Sequence, residues 1–421
     1  MLLNADRARG LMGEFGLDGL VASSPENVTY LSGFSPQFTY LYRLATFYQD
    51  YVVFSADAGV PPVLIVSTHE LPFALEFPTG VEDLRSFGPR RYARLEGVEL
   101  TDWERRYDEV RGDASINSGS RGEALVKALV DKGLAKGRVG LEAGHIHEEV
   151  RERLGSELPG AVFEDAYELF RVIRMVKTPA EVERLRTVAE VNERAMAAVV
   201  EAIGPGVAEP ELGRAFMAAT AAEGAVFEFW NTTCGRKSAY SLMSQGRFFP
   251  DSEYRLQPGD LVRFDGGSTL DRYHSDTGNC AVIGEPSPQV LKTYRAIEAA
   301  VEAGIELARP GVKPSELHEA IAQAGEKMGL ADYRYGRAGY GHGIGLEARD
   351  YPVIEPVKKS SSRFLPGSFD LPLEENMVMC FETGFQQIGL GGTQIEYTFL
   401  ITANGPEKLI DHKRQLHIIE A

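Results

Sequence analysis

The chain has 421 residues, 44 of them basic and 61 acidic, which gives a formal net charge of −17. This balance argues against nucleic acid or an anionic membrane as a partner, because both attract basic surfaces. A hydrophobic content of 43% and a charged content of 25% are those of an ordinary globular protein, and the length predicts two domains.

The three cysteines, Cys234, Cys280 and Cys380, predict neither a disulfide framework nor a zinc site, because they are far apart in the sequence. The first residues mix charges into a helical pattern, so we expect no signal peptide. No apolar run reaches the roughly 18 residues that a membrane span needs. Since free thiols are typical of reducing compartments, we expect a cytoplasmic protein.

The first segment, residues 1–172, is predicted to be an α/β domain without a cluster of metal-ligand residue types. Helical patterns cover 5–15 and 118–134. The short apolar strands between them are residues 19–23, 51–55, 63–67 and 138–142. The stretch 90–117 is charged and weakly patterned, and we expect it to pack on a partner subunit.

The second segment, residues 173–421, opens with a strong helix signal. Thr178 is a capping residue, Pro179 stands at the first helical position, and Glu181 lies three residues after the cap. The predicted helices of this segment are 179–203, 209–223, 288–308 and 315–328. A rhythm of helix pairs around strands occurs twice, which indicates a duplicated α/β half with a site between the halves.

Four carboxylates and one histidine of the second segment stand in Gly-flanked apolar stretches typical of strands or strand ends. They are Asp265 in LVRFDGG, Asp276 in YHSDTGN, His342 in GYGHGIGLE, Glu382 in VMCFETG and Glu396 in GTQIEYTFLI. Charged residues in apolar strands are costly to bury unless a cation compensates them. This ligand set suits Mn²⁺, Fe²⁺, Co²⁺ or Zn²⁺, and two ions balance the charge better than one. The pattern predicts a dinuclear metal enzyme.

Three of these residues, Asp265, Asp276 and His342, also have an ordinary structural explanation. Asp265 and Asp276 flank a predicted hairpin turn over 266–271, and turns are rich in Asp. A histidine in a Gly-rich segment is more often structural than a ligand, and the segment around His342 lacks the Lys-Ser/Thr pair of a phosphate loop. The order and spacing of all five residues favour the metal site.

Through these segments the chain resembles the creatinase/aminopeptidase P/prolidase superfamily, which has the pita-bread fold. GLDGLVASSPENVTYLSGF is similar to the start of a creatinase-like N-terminal domain, and RMVKTPAEVERLR to the entry of the catalytic domain. LQPGDLVRFDGG, YHSDTGN, GHGIGLE, FETG and GGTQIEYTFLIT are similar to the metal-ligand segments. The resemblance implies a creatinase-like α/β domain over 1–172 and a pita-bread α+β catalytic domain with pseudo-twofold symmetry over 173–421.

The resemblance also implies a two-metal centre. In it Asp265 chelates one ion, Asp276 and Glu396 bridge, and His342 and Glu382 bind the other, with Mn²⁺ preferred over Co²⁺, Zn²⁺ or Fe²⁺. Glu382 also handles the proton of a bridging water. The implied activity is that of a prolidase-like or aminopeptidase P-like enzyme, in which a metal-activated bridging hydroxide cleaves the Xaa-Pro bond of dipeptides or short peptides. A homodimer whose N-terminal domain covers the partner's site is implied as well.

The chain departs from the family at three positions where proline-specific peptidases carry histidines that bind substrate. These positions hold Phe248, Ala338 and Arg349. The residues expected to bind substrate instead are Arg349, Tyr340, Tyr240 and Tyr351. We expect Arg349 to take a catalytic part by clamping a substrate carboxylate through two hydrogen bonds, although a surface or ion-paired arginine is the alternative. His274 is expected to support the site without binding metal.

The missing histidines leave other functions open. One is a metal-dependent hydrolase or lyase of the same fold that acts on a small polar metabolite, similar to ectoine hydrolase or dimethylsulfoniopropionate lyase. Another is a non-catalytic binding module, but relatives of that kind lose metal ligands and this chain retains all five. Metal content separates the binding module from both enzymes.

Overall fold

The computed structural model describes residues 2–37, 49–77, 79–89, 93–113, 115–240, 253–330, 333, 339–365, 368–411 and 414–421. The chain divides into two compact units, Met1–Ile173 and Arg174–Ala421. The sequence predicts this division one residue earlier. Among the described helices, none combines the length and the apolar character needed to cross a membrane.

The first unit contains a seven-stranded mixed sheet in the order β5-β4-β3-β2-β1-β6-β7. Its strands are β1 Gly19–Ala22, β2 Tyr51–Ser55, β3 Val63–Ser67, β4 Asp83–Phe87, β5 Asn117–Ser118, β6 Arg138–Leu141 and β7 Val162–Asp165. Its helices are α1 Ala5–Glu14, α2 Pro25–Ser32, α3 Leu71–Glu76, α4 Asp102–Gly112, α5 Arg121–Asp131, α6 Glu148–Glu157 and α7 Tyr167–Arg174. Strands β1, β2 and β3 are buried along their whole length, which explains their continuous apolar sequences.

Local capping explains two differences between this unit and the sequence prediction. The helix predicted over 118–134 begins only at Arg121, because the side chain of Ser120 accepts a hydrogen bond from the backbone N–H of Glu123 and caps it. Helix α4 lies in the stretch that we predicted to be weakly patterned. A capping box of Thr101 and Glu104 starts it.

The second unit consists of two five-stranded sheets and their helices. Its strands are β8 Val226–Cys234, β9 Leu261–Leu270, β10 Tyr273–His274, β11 Thr277–Ile283, β12 Gly341–Gly343, β13 Asp350–Val353, β14 Val378–Gln387, β15 Gly391–Thr402, β16 Gly405–Lys408 and β17 His417–Ile419. The helices are α8 Pro179–Ala202, α9 Glu209–Ala222, α10 Pro288–Leu307 and α11 Pro314–Lys327. One sheet has the order β10-β9-β11-β17 with β8 also paired to β9, and the other has the order β13-β12-β14-β15-β16.

The predicted capping box at the start of α8 is present. The backbone N–H of Thr178 donates to the Glu181 carboxylate at 2.8 Å, and the Thr178 hydroxyl accepts from the backbone N–H of Glu181 at 3.3 Å. Each of the four helices begins and ends within one residue of its predicted bounds. Proline at the first or second helical position fixes each of these starts.

Aromatic packing on one face of β9 decides which way its acidic residue points. The Phe216 and Trp230 rings stack with centroids 4.9 Å apart, and Trp230 and Phe264 stack at 6.4 Å. A Cβ on Gly266 would lie 2.7 Å from a ring carbon of Trp230, so only glycine fits there. Because residues 264 and 266 face this aromatic layer, Asp265 between them faces the opposite side of the sheet.

Candidate metal centre

Two strand pairs bring the predicted acidic ligands together. On the first, Asp265 of β9 lies opposite Gly278 of β11, and Asp276 immediately precedes β11. On the second, Glu382 of β14 lies directly opposite Glu396 of β15. Since directly opposed residues share a face of the sheet, each pair places carboxylates side by side.

The turn between Asp265 and Asp276 is shorter than predicted. Strand β9 continues to Leu270 and pairs with Tyr273 of β10, so the turn consists of Asp271 and Arg272 alone. Both residues have positive φ, at 49° and 71°, as a two-residue hairpin turn of type I′ requires.

Gly278 allows the two sheets to approach each other at the centre. A Cβ at this position would lie 2.2 Å from Nε2 of Gln394 and 3.0 Å from Oε2 of Glu396. A Cβ there would displace the Gln394 side chain and crowd the Glu396 carboxylate, because real Cβ atoms do not approach other atoms so closely. The missing side chain therefore lets the Glu396 carboxylate reach the carboxylates of Asp265 and Asp276 on the sheet that contains β9 and β11.

The ligand atoms converge on a small volume. Oxygens of Asp265, Asp276 and Glu396 all lie within 4.8 Å of one another. Nε2 of His342 lies 3.4 Å from Oδ2 of Asp276, while Nδ1 lies 2.9 Å from the carbonyl oxygen of Gly343. The carbonyl occupies Nδ1, so Nε2 is the nitrogen that faces the carboxylates. Glu382 is half-buried beside Glu396.

Burial and mutual repulsion disfavour charge on these carboxylates. Burial, followed by repulsion from Glu382, raises the pKa of Asp265. Burial and the charges of Asp265 and Glu382 raise the pKa of Asp276 well above its usual range, and burial and the charges of Asp276 and Asp265 do the same for Glu396. Burial lowers the pKa of His342, which favours the neutral imidazole that binds metal.

The residues present fit two divalent ions. One oxygen each of Asp265, Asp276 and Glu396 is buried without a hydrogen-bond partner among the described residues. Buried carboxylate oxygens of this kind need a cation, and the set of oxygens with one imidazole nitrogen suits Mn²⁺ and its neighbours. The five predicted ligands Asp265, Asp276, His342, Glu382 and Glu396 would hold the ions.

Gln394 and the buried Arg263 hold the Asp265 carboxylate in place through a chain of hydrogen bonds. Nε2 of Gln394 donates to Oδ2 of Asp265 at 2.9 Å, and Oε1 of Gln394 accepts from Arg263 at 3.3 Å. The guanidinium of Arg263 also donates to the carbonyl of Tyr240 at 2.9 Å. This chain of hydrogen bonds fixes which end of the Gln394 amide faces Asp265, and so keeps the second carboxylate oxygen available for a ligand.

Arg414 ties the two sheets together beside the centre. Its Nε donates to the carbonyl of Glu396 at 2.7 Å, and its other nitrogens pair with Glu193 of α8 and approach the Thr277 hydroxyl at 3.4 Å. Thr277 follows Asp276 directly, and Arg414 is 6% exposed. The arginine therefore holds the backbones of two ligand strands in a fixed relation.

The structure separates the residues predicted to bind substrate. Arg349 is exposed, yet its positive charge opposes the rise that burial and neighbouring carboxylates cause in the pKa of Asp276. The next residue, Asp350, is fully buried and accepts from Nε of Arg174 at 3.2 Å, which anchors this segment. Arg349 thus lies on an anchored segment within electrostatic reach of the centre.

The predicted tyrosines lie in different surroundings. Tyr340 is fully buried, with its hydroxyl donating to the carbonyl of Tyr333 at 3.3 Å, which favours a packing role. Tyr351 is buried edge-on against Phe369, and Tyr240 is 49% exposed. Two of the three positions with a replaced histidine, Phe248 and Ala338, lie outside the described residues.

His274 is placed as a supporting residue would be. It is buried, its backbone N–H donates to the carbonyl of Gly345 at 2.9 Å, and Nδ1 lies 4.0 Å from Oε2 of Glu228. The His274 backbone therefore holds the segment that follows His342. A role in supporting the site without binding metal stays a prediction.

Comparison with known proteins identifies the family. The model of metallopeptidase family M24 matches residues 183–403, more than half of the chain. The Xaa-Pro dipeptidase of Pyrococcus furiosus is 29% identical over 256 residues, which cover 60% of this chain and 68% of that relative.

Solved structures share the fold over nearly the whole length. The X-Pro aminopeptidase from Thermotoga maritima has a TM-score of 0.72 at 22% identity and covers 98% of this chain and 100% of its own. A Xaa-Pro dipeptidase from Bacillus anthracis has a TM-score of 0.74 at 20% identity and covers 99% of both chains. The predicted fold class and the superfamily resemblance are confirmed. The chain belongs to metallopeptidase family M24 and is a metal-dependent peptidase of the pita-bread fold.

Proposed function

We propose that the protein is a two-metal hydrolase that cleaves the Xaa-Pro bond of dipeptides or short peptides. The observation that carries the proposal is the convergence within 4.8 Å of the half-buried carboxylates of Asp265 and Asp276 and the buried carboxylate of Glu396, beside a buried histidine, in a chain of a metallopeptidase family. The proline specificity draws on the Pyrococcus furiosus relative, which is named a Xaa-Pro dipeptidase.

In this proposal the side chains of the centre have different roles. Asp265, Asp276, His342, Glu382 and Glu396 would hold two divalent ions, whose chemistry would be to lower the pKa of a bound water and to polarise the scissile carbonyl. Asp265, Asp276 and Glu396 hold their positions through the sheet register and through Gln394 and Arg414. Glu382 takes a proton from the attacking water and passes it to the leaving nitrogen, so that the C–N bond breaks after the new C–O bond has formed.

Arg349 is the proposed substrate clamp. A dipeptide places its C-terminal carboxylate one residue beyond the scissile bond, whereas a longer peptide places it further away. A guanidinium binds a carboxylate through two parallel hydrogen bonds, and the buried pair of Asp350 with Arg174 fixes the segment that carries Arg349. The site is therefore expected to favour dipeptides over longer peptides.

The test is hydrolysis of Leu-Pro, Ala-Pro and a Xaa-Pro-Xaa tripeptide by Mn²⁺-loaded protein, with proline release as the measurement. Asp276→Asn is the inactive control, because it removes one carboxylate of the proposed ligand set. Activity that is absent from the control supports the proposal, and the dipeptide-to-tripeptide ratio assigns the subclass. Metal bound in stoichiometric amount without release of proline from any peptide would refute it.

One observation favours a second candidate, a hydrolase or lyase that acts on a small polar metabolite. Arg349 stands where the proline-specific relatives carry an imidazole, and a guanidinium suits a small anionic substrate. Metal-loaded protein that is inactive on peptides but active on a small carboxylate-bearing amide or ester would establish this candidate.

Three further proposals rest on the sequence alone. They are Mn²⁺ as the native ion, a homodimer in which residues 90–117 contact the partner, and a cytoplasmic location.

A further inference from the structure

A cysteine lies on the same face of β14 as the metal ligand Glu382. Cys380 stands two residues before Glu382, and residues two apart in a strand point to the same side. It lies directly opposite His342 of β12 and Thr398 of β15. Its side chain is fully buried. The thiol therefore lies at the inner end of the centre, next to two ligand strands.

The thiol forms a compact group with two of the ligands. One imidazole nitrogen of His342, Sγ of Cys380 and a carboxylate oxygen of Glu396 all lie within 4.8 Å of one another. Sγ also shares a hydrogen bond of 3.6 Å with the Thr398 hydroxyl, an ordinary length for sulfur.

The unpaired carboxylate oxygen of Glu396 points to a ligand at the same place. Oε1 of Glu396 has no hydrogen-bond partner among the described residues, although Glu396 is only 1% exposed. An unpaired buried carboxylate oxygen beside a thiol and an imidazole is an arrangement that a cation stabilises. The group is thus more than an isolated buried cysteine.

The donor types of this group differ from those of the rest of the centre. Asp265 and Asp276 offer only hard oxygens, which suit Mn²⁺. Nitrogen, sulfur and oxygen together suit thiophilic ions, which Zn²⁺ sites with Cys and His ligands illustrate. The centre therefore has a hard end at the two aspartates and a softer end at Cys380, with Glu396 between them.

We propose that His342, Cys380 and Glu396 form a soft-ion site within the metal centre, which binds a thiophilic divalent ion such as Cd²⁺ through the Cys380 sulfur. As the metal–sulfur bond forms, the thiol proton passes to solvent, and no electrons are transferred. Because His342 and Glu396 also belong to the proposed two-metal set, an ion bound here displaces the hard ion from that end. The inference concerns metal choice and holds for any substrate.

The test adds Cd²⁺ to the Mn²⁺-loaded full chain and follows two signals. One is the ultraviolet charge-transfer absorption of a metal–thiolate bond, and the other is the Mn²⁺ released. The variants are Cys380→Ser and a double variant, Cys234→Ser with Cys280→Ser. Because the chain has three cysteines, the double variant retains Cys380 as its single thiol.

We expect the absorption in the unmodified protein and in the double variant, and its loss in Cys380→Ser. The affinity for Cd²⁺ relative to Mn²⁺ should fall at least about tenfold in Cys380→Ser, since loss of a sulfur ligand costs at least as much as loss of a residue that supports a ligand. Absence of the band from the unmodified protein, or its retention in Cys380→Ser, would overturn the proposal.

The double variant decides the outcome on its own if Cys380→Ser does not fold. A folded double variant with the absorption band assigns the sulfur to Cys380, because no other thiol remains. A folded double variant without the band assigns it to Cys234 or Cys280 and overturns the proposal. Circular dichroism establishes which variants are folded. Neither result depends on whether the protein cleaves peptides.

Discussion

Replacing Asp265 by asparagine should stabilise the metal-free protein at neutral pH while it removes a proposed metal ligand. Burial, and then repulsion from Glu382, raises the pKa of Asp265 from 3.8 to about 6. For a group whose pKa is raised by folding, the stabilisation is complete below the pKa of the unfolded chain, near 4, and is lost as the pH rises through about 6. Once the pH is above that range, the shift corresponds to a loss of about 3 kcal/mol in the free energy of unfolding.

Asparagine retains the shape of the side chain and removes the charge that causes this cost. Its amide oxygen can accept the hydrogen bond that Nε2 of Gln394 now donates at 2.9 Å to Oδ2 of Asp265. Its amide nitrogen then faces the remaining carboxylates as a donor. We therefore expect the free energy of unfolding of the metal-free variant to rise by about 1–3 kcal/mol near pH 8 and to be unchanged near pH 4.

Urea unfolding followed by tryptophan fluorescence can isolate the unit that contains the centre. The chain has two tryptophans, of which Trp230 is buried in the second unit and Trp103 lies in the first. In a Trp103→Phe background the signal comes from Trp230 alone. Mn²⁺ should then reverse the order of stability, because mass action stabilises the form that binds the ion more tightly.

Asp271→Asn is the matched control, since it makes the same chemical change on the exposed turn of the same hairpin. Asp271 has a positive φ, which asparagine tolerates, so its unfolding free energy should change by no more than about 0.5 kcal/mol. A metal-free Asp265→Asn protein that is less stable than the parent near pH 8 would refute the reasoning. Favourable contacts would then outweigh repulsion at the centre.

Further predictions concern other parts of the site. Gly278→Ala should weaken Mn²⁺ binding by about 10- to 100-fold in calorimetric titration, because the new Cβ displaces Gln394. Arg349→Ala should raise KM for Xaa-Pro dipeptides far more than for tripeptides in proline-release assays, since only dipeptides place their carboxylate at the clamp. Arg414→Met should lower the free energy of unfolding by about 3 kcal/mol in urea, because it leaves Glu193 with an uncompensated charge.

Controls are available for these three changes. Gly155→Ala, in a helix with no atom within 4 Å of the new Cβ, should leave metal binding intact. Equal KM effects of Arg349→Ala on dipeptides and tripeptides would exclude the clamp. Glu193→Gln should recover part of the stability that Arg414→Met loses, and a purely additive loss would show that the pair is not coupled.

The proposed metal ligands were selected from the sequence because each stands in or directly beside an apolar strand close to glycines. Gln394 and Arg263 were missed, although a signal existed. Each stands two residues before a ligand in the same strand, and therefore on the same face. Adding residues at that spacing to the candidate list would have found both.

Other features had no local signal. Arg414 lies outside the strands, and its position depends on the pairing of β17 with β11, which is a tertiary contact. Tyr340 lies in the Gly-rich segment of His342 and was therefore expected at the substrate. Its ring packs on His318 of α11, with centroids 4.8 Å apart, which no pattern within either segment indicates, and its role in substrate binding stays a prediction.

The wide spacing of the ligand strands has a consequence for synthesis of the protein. Asp265 lies on β9 and Glu396 on β15, and Arg414, which joins β15 to the first residue of β11, comes later still. At about 5–20 residues per second, a ribosome makes Arg414 roughly seven to thirty seconds after Asp265. Until then Asp265 and Asp276 lack the residues that would enclose an ion together with them. Metal capture is therefore expected to be a late event for the nascent chain, after the first unit has had time to fold.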